Sequence, residues 1–467
     1  MRRKSIKKLP KKRICLINDS FPPVIDGVSN AVLNYAEILS KEKCRVTVAA
    51  PFYPETDDTK YPFKVIRYPS FDTSKKVGYR AGMPFSADAL RALEKERFDL
   101  IHSHCPITST MLARMLRDRI DAPIVMTYHT KFDIDIANAI RGKLLQEQAL
   151  LLLVKNIQAC DEIWTVSRGA GENLHKIGFT GNYRVMPNGV DLPKGRVAEN
   201  EIINATGSYN LPDSVPVFLF VGRMMWYKGI RIILDALRIC LDAGMNFRMV
   251  FIGGGTDKNS IIQYSDTLHL SERVLFIEPI NDRDTLRAWY CRGNLFLFPS
   301  TFDTNGLVVR EASACSLASV LISESCASEG IKDGINGFLI EENPESLSEL
   351  LKEIVKYPNK MKEVGECAQK DLYLSWEDSV GNAYKTYGEV IENYRDGKYQ
   401  HREQLSDELF RAAADALSFA SDRKEEREQF RNSFHDNKDQ LLLKIQEESE
   451  RIQEKMDEIK SSFDIWY

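Results

Sequence analysis

Two short segments carry the residue types that could manage a negatively charged leaving group. Val221-Gly222-Arg223-Met224-Met225-Trp226-Tyr227-Lys228-Gly229 follows an apolar run and opens a helical pattern. Glycine lets the backbone turn tightly, and a helix N-terminus attracts anions. Arg223 and Lys228 add two fixed positive charges. Together they could hold a diphosphate and stabilise the charge that builds on it as it departs. A solvated loop with incidental basic residues is the alternative.

The second segment is Phe302-Asp303-Thr304-Asn305-Gly306-Leu307-Val308-Val309-Arg310-Glu311, after the apolar run Leu295–Phe298. Asn305-Gly306 makes a turn, and a helix is predicted to begin near Leu307. Asp303 and Glu311 flank that N-terminus. Carboxylates accept two or more hydrogen bonds and so suit sugar and ribose hydroxyls. Free amides at Asn305, Gly306 and Leu307 could meet phosphate. Taken singly, each acid is equally a helix cap or a surface charge.

Other groups sit earlier in the chain. Phe21-Pro22-Pro23-Val24-Ile25-Asp26-Gly27-Val28 follows the first apolar run, and is at least a strand-to-helix turn. Thr127-Tyr128-His129-Thr130 ends a predicted strand, at the sheet edge where ligands usually bind. Asp133-Ile134-Asp135 is an Asp-x-Asp, read as helix capping or acceptor contact rather than a metal site. His102 and His104 are expected to face opposite sides of a strand end, which argues against a metal between them. Gly253-Gly254-Gly255 could let backbone approach a nucleotide.

The elements that must position these groups alternate between strand and helix. Apolar runs occur at Ile14–Ile17, Val46–Ala50, Leu100–Ile101, Ile124–Tyr128 and Ile163–Val166. The pattern restarts with Val217–Val221, Met249–Ile252, Val274–Ile277, Leu295–Phe298 and Val320–Ile322. Such runs suit strands covered on both faces, with helices between them. A polar linker is expected near 192–214, and a long helix from Trp376 to Asn393. The reading is α/β, with two doubly wound domains and a helical C-terminal extension. The divisions are a basic tail 1–12, domains 13–195 and 196–375, a return helix 376–398 and a charged extension 399–467.

The 467 residues exceed one ordinary core. A net charge of -4 gives no case for nucleic-acid binding. The nine cysteines are scattered, with no Cys-x-x-Cys, which fits a reducing compartment. No run reaches the roughly 20 apolar residues that span a bilayer. A cytoplasmic location, with peripheral contact on the inner membrane face, is expected.

With these motifs in order, the chain resembles the family-4 glycosyltransferases. The resemblance covers roughly residues 13–395. It rests on the Gly-Arg-x4-Lys-Gly element, the later acid-x7-Glu around Gly-Leu, Val185-Met186-Pro187-Asn188-Gly189-Val190-Asp191, and Gly330-Ile331-Lys332-Asp333-Gly334-Ile335-Asn336-Gly337. It implies the GT-B fold: two Rossmann-like domains facing across a cleft. It also implies a generally retaining, metal-independent transfer from a nucleotide-sugar donor, with no cofactor.

By that resemblance Arg223 and Lys228 grip the diphosphate and Glu311 binds the ribose. Gly27 lies close to the donor phosphate, and His129 is the cleft histidine beside the donor sugar. The acid that contacts the sugar is usually Glu and here is Asp303, one methylene shorter. Asn305 stands where an aromatic is common. The overall look is that of bacterial diacylglycerol glucosyltransferases, which implies a lipid or glycan acceptor.

Residues 1–13 hold eight basic side chains, a patch for anionic lipid or simply a solubilising tail. The last part of 400–467 spaces Ile445, Ile452, Met456, Ile459 and Phe463 in a heptad-like way, suited to self-association. A non-catalytic sugar-nucleotide or glycan-binding scaffold is the competing reading, and a sugar-nucleotide epimerase is another.

Overall fold

All ten apolar runs fall on strands in the computed structural model, which describes residues 11–399 except 25, 43, 55, 74–79 and 140–141. In the first half the strands are β1 (Lys12–Ile17), β2 (Cys44–Pro51), β3 (Lys64–Tyr68), β4 (Ser70–Phe71), β5 (Ala81–Gly82), β6 (Leu100–Ser103), β7 (Ile124–Tyr128), β8 (Glu162–Thr165) and β9 (Arg184–Val185). In the second half they are β10 (Val217–Val221), β11 (Arg248–Ile252), β12 (Val274–Ile277), β13 (Leu295–Leu297), β14 (Ser319–Ile322) and β15 (Phe338–Ile340). The basic residues before Lys11 and the extension beyond 399, with its heptad-like end, lie outside the described residues.

The first sheet runs β3-β2-β1-β6-β7-β8-β9 and the second β12-β11-β10-β13-β14-β15. All of these neighbours are parallel, while β4 and β5 form a small antiparallel pair. In each sheet the chain winds outward from the centre, then jumps back and winds the other way. The reversal falls between β1 and β6, and again between β10 and β13. In such doubly wound sheets the crevice at the carboxyl ends beside the reversal is where ligands bind. The segments carrying Gly27, His104, Lys228 and Asp303 all follow these four strands.

The helices bury one stripe each. Ile230–Asp242 turns Ile230, Ile233, Leu234 and Leu237 inward, at spacings of three and four, onto the core around Phe218, Phe220 and Phe251. The stretch read as a linker is packed rather than loose. It holds the helix Glu199–Thr206, and Leu192 and Ile202 belong to the second domain's core.

The helix Trp376–Arg395 returns to the first domain. Ser375 caps it by accepting from the amide of Asp378 at 3.1 Å, and Glu377 and Asp378 suit its positive end. Its Trp376, Val380, Ala383, Tyr387 and Val390 pack with Ile14, Leu16, Val32 and Leu100. Tyr387 stacks on Trp164 at 5.4 Å. The two chain crossings between domains run side by side, where the Val190 amide donates to the Leu374 carbonyl at 3.0 Å. A Cβ at Gly189 would lie 2.4 Å from the Trp376 backbone, so this crossing needs glycine.

Candidate functional site

The loop after β10 is shaped by backbone packing. The short 3-10 turn Trp226–Lys228 ends at Gly229, whose φ of 75° is left-handed. A Cβ there would meet the Pro299 carbonyl oxygen at 1.8 Å. Glycine therefore lets the loops after β10 and β13 press together. Lys228 Nζ then donates to Asp303 Oδ1 at 2.5 Å, and Ser300 Oγ donates to Asp303 Oδ2 at 2.7 Å. The Tyr227 and Phe302 rings cover this pair at 4.6 Å from each other.

Lys228 is buried while Arg223 lies exposed. Desolvation pulls the Lys228 ammonium below its ordinary pKa; the Asp303 carboxylate opposes this, and Arg223 repels it. The sequence reading gave these side chains separate tasks, Lys228 on the diphosphate and Asp303 on the sugar. In the fold they are one ion pair at the switch point. The run Gly253-Gly254-Gly255 serves the protein itself, since Cβ atoms at Gly253 and Gly255 would strike the Gly222 and Met224 carbonyls at 2.0 and 2.4 Å.

Glu311 lies one turn into the helix Leu307–Ala314, which begins at the residue expected. Gly306 precedes it with φ 55°. Both Glu311 oxygens are engaged: Arg283 Nη2 donates to Oε1 at 2.7 Å and Tyr290 OH to Oε2 at 2.9 Å. Arg283 also lies 3.9 Å from Asp191, in the segment that closes the first domain. Arg283 and Tyr290 were not singled out from the sequence. Their one signal is a three- and four-residue periodicity on the helix Arg283–Arg292, which reads as core.

Asn305 stands where the two domains meet. Its side chain lines a small pocket with Ser167, Pro187, Cys326 and Glu329, on the seam between the domains. Both of its amide atoms are buried there without a partner. Its side chain thus faces the seam. Leu307 is half-buried against the second core.

The seam is closed by direct bonds. Thr304 Oγ1 donates to the His129 carbonyl at 2.6 Å, Ser167 Oγ donates to the Thr304 carbonyl, and Lys131 Nζ donates to the Thr301 carbonyl at 3.1 Å. Glu329 accepts from the Arg168 amide at 2.7 Å, capping a first-domain helix from the second domain.

The first domain brings three histidines together at the ends of β6 and β7. Residues two apart on a strand share a face. Accordingly His102 and His104 lie on the same side, ring centroids 4.0 Å apart, not on opposite sides as expected. His102 is bonded to Tyr387 OH at 2.6 Å and to Thr127 Oγ1 at 2.7 Å. His104 Nδ1 meets His129 Nε2 at 3.0 Å. Burial holds His129 down at about 3, and His102 and His104 well below the usual imidazole range. His129 is therefore a neutral hydrogen-bonding group at neutral pH rather than a cation.

Gly27 opens the helix Gly27–Glu42, where Asp26 Oδ1 accepts from the Val28 and Ser29 amides at 2.8 Å each. A Cβ at Gly27 would meet nothing within 4 Å, so the fold leaves open space there. Asp133 accepts from Asn173 Nδ2 at 3.2 Å, a structural contact. No cluster of three metal-ligating side chains occurs among the described residues.

Comparison with known proteins agrees with this two-sheet fold. The model "Glycosyltransferase Family 4" matches residues 25–194, and "Glycosyl transferases group 1" matches residues 202–371. An alpha-monoglucosyldiacylglycerol synthase of Acholeplasma laidlawii is 23% identical over 73% of this chain and 87% of its own length. A D-inositol 3-phosphate glycosyltransferase of Catenulispora acidiphila is 25% identical over 67% of this chain and 76% of its own. In fold the chain is similar to sucrose-phosphate synthase of Thermosynechococcus elongatus, with a TM-score of 0.66 at 19% identity, covering 82% of this chain and all of that one. It is likewise similar to Anabaena HepE in complex with UDP-glucose, with a TM-score of 0.64 at 16% identity over 82% of this chain and 99% of that one. With one model matched to each sheet, the chain belongs to the GT-B glycosyltransferases of family-4 type.

Proposed function

We propose that this glycosyltransferase moves a hexose from a nucleotide-diphosphate sugar, with UDP as the nucleotide, to an acceptor hydroxyl on a glycolipid precursor such as diacylglycerol, or on a cell-surface glycan. The observation that carries this reading is Lys228, a buried cation at the second switch point, paired there with Asp303. A diphosphate entering there takes Lys228 as a partner, with exposed Arg223 beside it. The sugar's anomeric carbon–oxygen bond breaks and the charge moves onto the diphosphate. Each well-placed positive contact is worth about 3–4 kcal/mol of that barrier. Glu311 accepts from the ribose hydroxyls, and the His129 imidazole meets the sugar.

Transfer is retaining and metal-independent on this reading, with cations and helix amides in the place of a metal and no cofactor. The acceptor proton passes to the leaving diphosphate. Closed seam contacts limit loss of the donor to water. No described helix is long and apolar enough to cross a membrane. Contact with an anionic inner membrane face, through the basic start of the chain, is the arrangement that suits a lipid acceptor.

The test is a mass-spectrometric screen of nucleotide-sugar donors against lipid extracts and glycan acceptors. Transfer should appear with one donor class and vanish in Lys228→Ala and Glu311→Gln while both variants stay folded. Isomerised donor with no acceptor would show an epimerase. The Lys228–Asp303 pair favours one second reading, a binding scaffold in which the cation is permanently occupied. Nucleotide-sugar binding without transfer to any acceptor would select it.

A further inference from the structure

The structure ties the His129 ring to a second imidazole. His104 and His129 are 2% and 6% exposed. Their rings stack at 5.3 Å with 23° between planes, and Nδ1 of His104 lies 3.0 Å from Nε2 of His129. A bond between two neutral imidazole nitrogens needs one N–H and one lone pair. There are therefore two arrangements. Either His104 donates from Nδ1, or His129 donates from Nε2.

The other nitrogen of His104 decides between them. Nε2 of His104 is buried and has no hydrogen-bond partner. If His129 were the donor, His104 would carry its own proton on that sealed Nε2. A buried N–H would then be left unpaired, which native structures rarely allow. If His104 donates from Nδ1, only a lone pair is left unpaired, which is the better tolerated fault. His102 does not alter this choice, because both of its nitrogens are taken up by Tyr387 and Thr127.

We infer that His104 is a positioning residue that fixes the tautomer of His129, so that His129 carries its proton on Nδ1 and presents an N–H donor to the cleft. Nδ1 of His129 has no protein partner and is not among the sealed polar atoms, so it keeps access to solvent and ligand. The chemistry it recognises is an oxygen lone pair, on a sugar hydroxyl or ring oxygen. A group that can only donate would be refused. Placing that oxygen on the donor sugar rests on the function proposed above; the tautomer itself does not.

The experiment is nitrogen-15 histidine NMR on the full chain, with the His129 signals assigned by their loss in His129→Asn. Wild-type protein should show His129 protonated on Nδ1 at neutral pH. In His104→Asp an acceptor-only carboxylate faces Nε2 of His129, and that nitrogen should then carry a proton. His104→Asn, of the same size, places an amide N–H where Nδ1 stood and should keep the Nδ1 tautomer. Transfer activity should fall about tenfold or more in His104→Asp and be retained better in His104→Asn. An Nε2-protonated His129 in wild type overturns the inference, as does a bare Nε2 on His129 in folded His104→Asp. An Nδ1 tautomer combined with full activity in His129→Ala would instead overturn the placement of the sugar and leave the tautomer standing.

Discussion

Two walls of one cleft handle polarity in opposite ways. The second domain gathers formal charges at its switch point: Lys228 against Asp303, and Arg283 against Glu311. The first domain gathers neutral imidazoles at the matching place, His102, His104 and His129, and buries them. The sheets that carry them wind in the same way. Chain topology therefore does not decide the chemistry; the side chains at the strand ends do. A charged wall suits a group that gains negative charge during reaction. A neutral, fixed wall suits a sugar, which needs orientation without a competing counter-ion.

The largest effect should come from removing the central cation. Lys228→Met keeps most of the side-chain volume and discards the charge. Transfer should fall about 100- to 1000-fold in kcat, as for loss of one oxyanion donor. A steady-state assay checks this, and a loss under tenfold would place the charge elsewhere. Next is Arg283→Met, which frees one oxygen of Glu311. A lost hydrogen bond to a charged group is worth about 1.5–3 kcal/mol. Donor KM should rise about tenfold or more with kcat nearly unchanged, since Glu311 is held for binding rather than for the breaking bond.

The neutral wall has its own signature. His129 titrates near 3 in the fold and near 6.5 when unfolded. The unfolded chain thus binds more protons between those values, and stability rises with pH across that window. It should fall by up to about 1.4 kcal/mol per pH unit for this residue as pH drops below 6.5, and stay level above it. Urea unfolding at a series of pH values measures the slope. His129→Asn should lower the slope by that amount and leave the share of buried His102 and His104, and a slope unchanged by that substitution would mean the ring is not buried neutral.

The smallest effect concerns the seam that joins the walls. Glu329→Gln keeps the size but removes the charge facing the amides of Arg168 and Gly169. Thermal unfolding should show a loss of about 0.3–1 kcal/mol, as for an exposed charge at a helix N-terminus.

The charged wall was the easier one to read from sequence. Val217–Val221 is an unbroken apolar run and became a strand with those limits; Leu307 opens its helix as the Asn305-Gly306 turn requires. Lys228, Asp303 and Glu311 stand close to these signals. Arg283 and Tyr290 were missed because their partner lies 28 and 21 positions away, and no local pattern records such a contact. Strands β3 and β15 were missed as well. Lys64–Tyr68 mixes charged and apolar residues at an edge of its sheet, and Phe338–Ile340 is only three residues long. The side chain of Asn305 was left unplaced because backbone position does not say which way a side chain turns. The histidines were misjudged on a simpler point, the two-residue repeat of a strand, whereas the nearness of His129 to them only becomes visible once β6 and β7 are paired.

The division between a charged and a neutral wall is tested most directly by calorimetric binding of UDP alone, without its sugar. Wild-type protein, Lys228→Ala and His129→Ala are compared at the same ionic strength. Affinity should drop at least about tenfold in Lys228→Ala and stay within about twofold of wild type in His129→Ala. Equal losses in both variants, or undiminished binding in Lys228→Ala, would contradict it.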